Sequence, residues 1–179
     1  EVTRLLTELF NAFDEAAASL DVLALDCIGD LYVAVCGLTT PRMDHTKRVV
    51  DLGLEMLNIL QRLNNRYNPN LKLCIGIDAG ESTAAVIDTK RLNYHLWGET
   101  LAISHQLNRA AESNTIRVTE EVHDCVRDLY TFKSAKDIEV PEVGRLTSWM
   151  LYREGTGRPS LNDTVQEIEA IVSLGEVPV

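Results

Sequence analysis

Two short stretches of this sequence carry residues that could do chemistry. The first is the turn Gly29-Asp30, which separates two apolar runs rich in valine and leucine and is predicted to form the tip of a β-hairpin. A carboxylate at a hairpin tip suits a hard cation, which prefers oxygen ligands and keeps some of its water. Gly-Asp is also ordinary turn chemistry, so the residue types alone leave both interpretations open.

The second stretch runs from Asn93 to Leu107 and closes a predicted strand at Trp97-Gly98. A helix is expected to open immediately afterwards with Glu99 and Thr100, because an acidic and a hydroxyl-bearing residue suit a helix N-terminus. The remaining elements are expected to be organised around this junction of strand and helix.

Hydrophobic periodicity predicts the elements that position these residues. Amphipathic helices are predicted over residues 2–20, 45–67, 98–111 and 120–129, the second and fourth capped by Asp44 and Thr119. Strands are predicted over residues 21–26, 31–36, 71–79, 82–88, 115–118, 132–137 and 145–152. Strands 71–79 and 82–88 are expected to pair as a hairpin. Helices alternating with hairpins favour an α+β fold, a mostly antiparallel sheet with helices packed on one face.

Composition sets the outer limits of function. The 179 residues have a net charge of −10 and no cluster of Lys and Arg, which argues against a nucleic-acid partner. No apolar run approaches the roughly 20 residues of a membrane span. Four cysteines lie far apart without a metal-binding or redox spacing, which is typical of a reduced, cytoplasmic chain without disulfides; they are Cys27, Cys36, Cys74 and Cys125.

Several motifs, in this order and spacing, resemble the catalytic domain of class III nucleotide cyclases, the adenylyl and guanylyl cyclase family. The motifs are Ile28-Gly29-Asp30, Asp44-His45, the run from Gly76 to Gly80, the run from Val86 to Arg91, and the run from Tyr94 to Thr100. The run from Gly76 to Gly80 reads Gly-Ile-Asp-Ala-Gly, where the family usually has Gly-Ile-His-Thr-Gly. The resemblance covers about residues 1 to 152 and implies a ferredoxin-like class III cyclase fold.

The resemblance also divides the chain. It implies one cyclase homology domain over residues 1–153, which lacks its first strand within this sequence, followed by a tail or linker over residues 154–179. The tail is predicted to contain a short amphipathic helix through Val165, Ile168, Ile171 and Val172.

The family's chemistry is expected to come with the family's fold. Such a domain pairs head-to-tail with a second cyclase domain and converts a nucleoside triphosphate to a 3′,5′-cyclic monophosphate and pyrophosphate, using two Mg²⁺ or Mn²⁺ ions. Asp30 matches the second metal-binding aspartate. The first normally lies on a strand before the helix that begins near Val2, and we expect it upstream of Glu1.

Nucleotide-binding positions carry over one by one. The two base-selecting positions are occupied by Asp26 and His95, with Trp97 two residues further along the strand. An acidic Asp26 could accept hydrogen bonds from guanine, and His95 could donate to the carbonyl oxygen of guanine. These two residue types favour guanine over adenine. The alternative, that neither residue contacts a base, remains open. The family's late phosphate-binding lysine is missing, and Arg145 is the nearest basic residue.

Two transition-state positions depart from the family. Its asparagine and arginine correspond to Ala102 and Gln106, and neither can do the original work, because alanine has no side-chain hydrogen bond and glutamine has no charge. Arg109 lies one helical turn further and would reach back only if the helix shifted. A homodimer is therefore expected to be a poor catalyst.

Two functions remain open from the sequence. The chain is either a nucleotide cyclase domain that works with a partner, or a non-catalytic pseudo-cyclase that acts as a regulatory or dimerisation module. A diguanylate cyclase is excluded by the missing acidic Gly-Gly turn motif. A Rossmann or P-loop protein is excluded because neither glycine pattern is present.

Overall fold

The structure is a computed structural model that describes residues 2–67, 70–88, 93–152 and 167–176. Side chains are described for all of these except residues 2, 26–28, 83–88, 93–97 and 167–176. The helices are α1 (Val2–Ser19), α2 (His45–Tyr67), α3 (Glu99–Ala110) and α4 (Glu120–Val126). The strands are β1 (Leu23–Ile28), β2 (Leu31–Cys36), β3 (Lys72–Glu81), β4 (Thr83–Asp88), β5 (Asn93–Trp97), β6 (Thr115–Thr119), β7 (Phe132–Ser134), β8 (Ile138–Val140), β9 (Gly144–Leu146), β10 (Ser148–Leu151) and β11 (Glu167–Glu176).

Seven of these strands form one sheet in the order β1-β2-β11-β3-β6-β10-β7. The pairs β1-β2, β6-β10 and β10-β7 are antiparallel, whereas β11 is parallel to both β2 and β3, and β3 is parallel to β6. Two further two-stranded antiparallel sheets are formed by β4 with β5 and by β8 with β9. The predicted α+β class is confirmed, with a sheet that is mixed rather than antiparallel throughout.

A helical layer of α1, α2 and α4 covers one face of the large sheet. Its apolar stripes pack on alternate residues of the strands, as Ile75 and Ile77 on β3 show, and both side chains are fully buried. Gly53 lets α2 approach the sheet closely, since a Cβ there would lie 3.1 Å from Ile116 Cδ1. This face holds the main hydrophobic core of the protein.

The opposite face of β3 carries α3. Gly76 makes this contact possible, because a Cβ on it would lie 2.2 Å from the carbonyl oxygen of Ser104 and 2.4 Å from the backbone nitrogen of Asn108. The Asn108 side chain donates to the carbonyl of Cys74 at 2.7 Å, and the Thr100 hydroxyl donates to the carbonyl of Glu81 at 3.1 Å. Backbone contact and these two hydrogen bonds fix the position of α3 along β3.

Two predicted strand arrangements were wrong. Strands 71–79 and 82–88 do not form a hairpin, since β3 pairs with β11 and β6 while β4 pairs with β5. The predicted strand 145–152 is two strands in different sheets, β9 and β10. Both corrections have the same cause, because strand propensity predicts an extended segment and does not predict which neighbour completes its ladder.

The tail also differs from the prediction. The helix expected through Val165 to Val172 is replaced over Glu167–Glu176 by β11, a ten-residue strand between β2 and β3 in the middle of the sheet. A short apolar run fits both periods, and two unpaired strand edges offer backbone hydrogen bonds that an isolated helix cannot match. The division at residue 153 stays a prediction.

Two other expectations concern cysteines and membranes. Cys36, Cys74 and Cys125 form no disulfide among the described residues, and the Cys36 and Cys74 side chains are buried. Cys27 lies outside the described side chains. Over the described ranges, no helix combines the length and the apolar character needed to cross a bilayer.

Candidate active site

The hairpin tip is where the sequence predicted it. Ile28 pairs with Leu31, so Gly29 and Asp30 form the two-residue turn between β1 and β2. Gly29 has φ +69°, a conformation that L side chains rarely adopt, which explains a glycine at this position. Asp30 is exposed at the end of the sheet where β2 begins.

The predicted metal site is not assembled by the described residues. No group of three His, Cys, Asp or Glu residues lies close enough to hold a metal ion in the part of the chain that the structure describes. Asp30 supplies one exposed carboxylate, and a divalent cation needs further oxygen ligands. The described residues alone therefore do not form a two-metal centre. Metal binding by Asp30 stays a prediction.

The predicted base-selecting residues lie on neighbouring strands. Asp26 is on β1 next to an irregularity in the register between Ala24 and Cys27, and His95 and Trp97 are on β5. Cα atoms of β1 and β5 approach within 8 Å of each other, although the two strands belong to different sheets. The side chains of these three residues lie outside the described part, so their contacts with a base stay predictions.

The two altered transition-state positions share one surface of α3. Ala102 is exposed and Gln106 is partly buried, and a spacing of four residues places them one above the other on the helix. The other side of α3 faces the sheet through Thr100, Ser104 and Asn108, all of which are buried. Ala102 therefore lies on the outward side of a helix whose position is fixed by its buried side.

Arg145 lies on β9, away from the large sheet. Its Nε donates to a carboxylate oxygen of Asp137 at 2.7 Å, and 75 % of its side chain is exposed. An exposed ion pair of this kind contributes little free energy and exchanges readily. The structure thus leaves Arg145 available at the surface, and its contact with a phosphate stays a prediction.

The register of the sheet separates Asp30 from the start of α3. Tyr32, Ala170 and Ile75 share one level of the sheet, so Asp30 is level with about Leu73 on β3. Thr100 packs against Gly80, where a Cβ would lie 2.7 Å from its Oγ1. Gly80 is seven residues beyond Leu73, which is roughly 23 Å at 3.3 Å per residue. The start of α3 therefore lies at the far end of the sheet from Asp30, and α3 then runs back along β3, because Gly76 lies against the backbone of Ser104 and Asn108.

A cavity that the sequence did not predict lies at the end of the sheet where α3 begins. It has a volume of about 780 Å³ and is formed by the ends of β3 and β6, the first turns of α3 and α4, and the segment before β10. The described residues that line it include Asp78, Glu81, Glu99, Glu120, Glu121 and Asp124. None of the site residues predicted from the sequence is among its described lining residues.

Asp78 is the buried acidic group of this cavity. Asp78 is 3 % exposed, and one of its carboxylate oxygens accepts a hydrogen bond from the Thr119 hydroxyl at 2.7 Å. Burial raises the pKa of Asp78 to about 6, because the loss of hydration outweighs the hydrogen bonds from Thr119 and from the backbone N–H of Ala79, and the charge of Glu121 raises the pKa further.

The Asp78–Thr119 hydrogen bond also explains a local difference from the sequence prediction. Thr119 occupies the N-cap position of α4, as predicted, but its side chain does not cap the helix. Its hydroxyl is used to satisfy the buried carboxyl instead. The available signal was the aspartate within the run from Gly76 to Gly80, where the related family usually has histidine.

Comparisons with known proteins agree with this architecture. The family profile described as "Adenylate and Guanylate cyclase catalytic domain" matches residues 1–153. An adenylate cyclase of Mycobacterium tuberculosis is 27 % identical over 151 residues, which is 84 % of this chain and 34 % of that protein. The chain thus spans about a third of the length of this curated relative.

Solved structures show the same fold. The adenylyl cyclase CyaB from P. aeruginosa superposes with a TM-score of 0.71 at 16 % identity, covering 87 % of this chain and 85 % of that chain. The guanylate cyclase domain of RhGC from Catenaria anguillulae, solved in complex with GTP, superposes with a TM-score of 0.67 at 15 % identity, covering 85 % and 84 % of the two chains. With the profile match over most of its length, the chain belongs to the adenylate and guanylate cyclase catalytic domain family.

Proposed function

We propose that this chain is one half of a nucleotide cyclase, which pairs head-to-tail with a second cyclase domain to convert a nucleoside triphosphate into a 3′,5′-cyclic monophosphate and pyrophosphate. The observation that carries the proposal is that α3 of this chain presents Ala102 and Gln106 at the two transition-state positions, whereas Asp30 is exposed at the hairpin tip. The chain thus retains an aspartate for the metal side and lacks the groups that α3 would supply, so a complete site needs α3 of another domain near Asp30.

Dimeric relatives support this arrangement. Cyclase domains of this family form dimers and bind nucleotide, and one guanylyl cyclase domain from Blastocladiella emersonii is described as dimeric. Cyclases of this family use divalent metal ions, which supply electrostatic stabilisation of the phosphates. We propose Asp30 as the residue through which this chain contributes to holding them.

The same arrangement makes a heterodimer more active than a homodimer. In a homodimer, both copies of α3 present Ala102 and Gln106, which offer no anchoring amide at the first position and no positive charge at the second. Loss of an arginine that stabilises a phosphoryl transition state costs about a thousandfold or more, and loss of one preorganised donor costs about a hundredfold. A partner that carries its own asparagine and arginine would restore these groups opposite Asp30.

A second candidate function is a pseudo-cyclase that pairs with another cyclase domain without catalysis. The exposed Ala102 favours it, because an alanine on the outward side of α3 can serve packing without serving chemistry. Fold membership does not decide between the two candidates.

The deciding experiment is a complementation assay. The full-length protein is mixed with a cyclase domain that retains its asparagine and arginine but has lost both metal-binding aspartates, and production of cyclic nucleotide is measured from each of the four nucleoside triphosphates with Mg²⁺ or Mn²⁺. We expect product in the mixture only, and we expect Asp30→Ala to abolish it while Asp128→Ala, at another exposed aspartate, does not. Paired domains that give no product with any triphosphate would establish the pseudo-cyclase.

A gain-of-function variant tests the same proposal within one chain. Ala102→Asn combined with Gln106→Arg should raise homodimer activity by at least about a thousandfold, because it restores both groups on one helix. Ala102→Gln combined with Gln106→Lys is the matched control, since it places an amide and a positive charge in the wrong geometry. Equal activity of the two variants would contradict the assigned positions.

A further inference from the structure

The cavity between the ends of β3 and β6 contains none of the residues to which the proposed cyclase reaction assigns a role. It lies at the end of the sheet opposite Asp30, and its described lining residues do not include Ala102 or Gln106. Its volume of about 780 Å³ is in the usual range of small-molecule sites. The chemistry of its lining therefore indicates which ligand it could bind.

The cavity is lined by acidic side chains at several heights. Asp78 is buried at its base, whereas Glu81, Glu99, Glu120, Glu121 and Asp124 are exposed around its rim. The described lining contains no lysine or arginine. The Asp124 carboxylate contacts His123 at 3.1 Å and Arg127 at 3.6 Å. The other rim carboxylates have no ion-pair partner among the described residues.

A second observation points to a ligand that donates hydrogen bonds. Ser82 lines the same cavity and is 4 % exposed, yet its hydroxyl has no hydrogen-bond partner among the described residues. A buried polar group without a partner costs free energy, and such groups are rare in folded proteins. A donor beside Ser82 would satisfy its hydroxyl oxygen, and a second positive group beside Asp78 would compensate the buried carboxylate.

The arrangement of charges restricts the ligand class. An anion is excluded by the carboxylates, although α3 begins at the cavity, because Glu99 already complements the partial positive charge of that helix end. A directly coordinated metal ion does not fit, since no three of the described carboxylates come close enough to share one ion. The ligand must bring several positive charges spaced along its own length.

We propose that this cavity binds an organic polycation, an aliphatic amine with at least two ammonium groups. One ammonium group would donate to the Ser82 hydroxyl, and the second would lie between the Asp78 carboxyl and the rim carboxylates of Glu120 and Glu121. Both groups keep their charge at neutral pH, because surrounding carboxylates favour the protonated amine. Such a ligand would link the ends of β3 and β6 to the first turn of α4.

The test measures binding of spermidine to the full chain by isothermal titration calorimetry, with residues located by amide chemical shifts. We expect saturable one-to-one binding that weakens with added salt, with shifts concentrated at residues 78–82 and 119–121. Glu120→Gln combined with Glu121→Gln should weaken binding about tenfold or more, since hydrogen bonds to charged groups are lost. Ser82→Ala should weaken it severalfold while keeping the same stoichiometry.

The matched control removes two charges elsewhere. Glu15→Gln combined with Glu142→Gln changes exposed acids outside the cavity by the same net charge, and it should change the affinity less than twofold. An equal loss of affinity in both double variants would show nonspecific attraction to a chain of net charge −10 and would overturn the proposal.

Two further binding experiments distinguish an organic polycation from a metal ion and from a basic peptide. Mg²⁺ alone, at matched ionic strength, should neither displace spermidine one-for-one nor produce the same shifts; if it does, the site is a hydrated-cation site and the proposal is wrong. A lysine-containing peptide that binds the cavity when spermidine does not would assign it to a protein partner and would also overturn the proposal. Complementation with a second cyclase domain is not involved, so failure here leaves the proposed cyclase function untouched.

Discussion

Replacing Asp78 by asparagine should change how the stability of this protein depends on pH. The carboxyl of Asp78 is buried, with a pKa of about 6 in the folded state against 3.8 as its ordinary value. The folded protein therefore binds this proton more tightly than the unfolded chain does. The protonated carboxyl of Asp78 contributes its full share of the unfolding free energy below about pH 4. This contribution is lost as the pH rises through about 6.

The magnitude follows from the size of the shift. A difference of about 2.2 pKa units at 1.36 kcal/mol each corresponds to roughly 3 kcal/mol of lost unfolding free energy above pH 7, and to about half of that near pH 5. Asp78→Asn removes the charge, and its amide oxygen can still accept the hydrogen bond from Thr119. We expect the variant to be more stable than the wild type by about 1–3 kcal/mol at pH 7.5, with almost no difference at pH 4.

Urea unfolding at four pH values between 4 and 7.5 measures the effect, read as the difference between variant and wild type at each pH. Asp128→Asn serves as the control, because Asp128 is exposed and its substitution should leave the two pH curves parallel. If the difference between Asp78→Asn and the wild type were the same at every pH, the buried carboxyl would not have a raised pKa and the reasoning would be refuted.

Three further substitutions test what holds the domain together. Gly76→Ala should destabilise the protein by several kcal/mol, because its Cβ would meet the backbone of α3 at 2.2 Å; chemical denaturation measures this, and a loss below about 1 kcal/mol would contradict the close approach. Arg117→Met should cost about 2–4 kcal/mol in the same assay, since the buried guanidinium donates to Ser148 and to the carbonyls of Ala110 and Lys136; an unchanged midpoint would show that these acceptors find other partners. Val172→Pro should unfold the domain or lower its melting temperature strongly, because β11 is paired on both sides; a normal melting curve would mean that the sheet does not depend on β11.

Short, locally encoded features were predictable from the sequence. The turn at Gly29-Asp30 follows from a glycine that can adopt a positive φ between two strand-forming runs, and the structure confirms it. The four helices predicted before the tail exist, since each has an apolar stripe with the period of a helix. The resemblance to cyclases is confirmed by the family profile, because its motifs are runs of adjacent residues that a sequence displays directly.

Features that join distant segments were not predictable. The pairing of β3 with β6 and the insertion of β11 between β2 and β3 depend on which strand edge is available, and strand-forming residues do not encode that choice. The helix expected in the tail failed for the same reason, because pairing on two sides outweighs local propensity.

The candidate site divides along the same line. The sequence alone predicted Asp30 at a turn and the replacement of two family residues by Ala102 and Gln106. Both features depend only on which residue type occupies a given position. Only the tertiary structure placed Asp30 and the start of α3 at opposite ends of one sheet, and only it buried Asp78 beside Thr119, 41 positions away in the chain. Distances across a sheet and the hydration of a carboxyl are set by neighbours from other segments, and these neighbours exist only once the chain has folded.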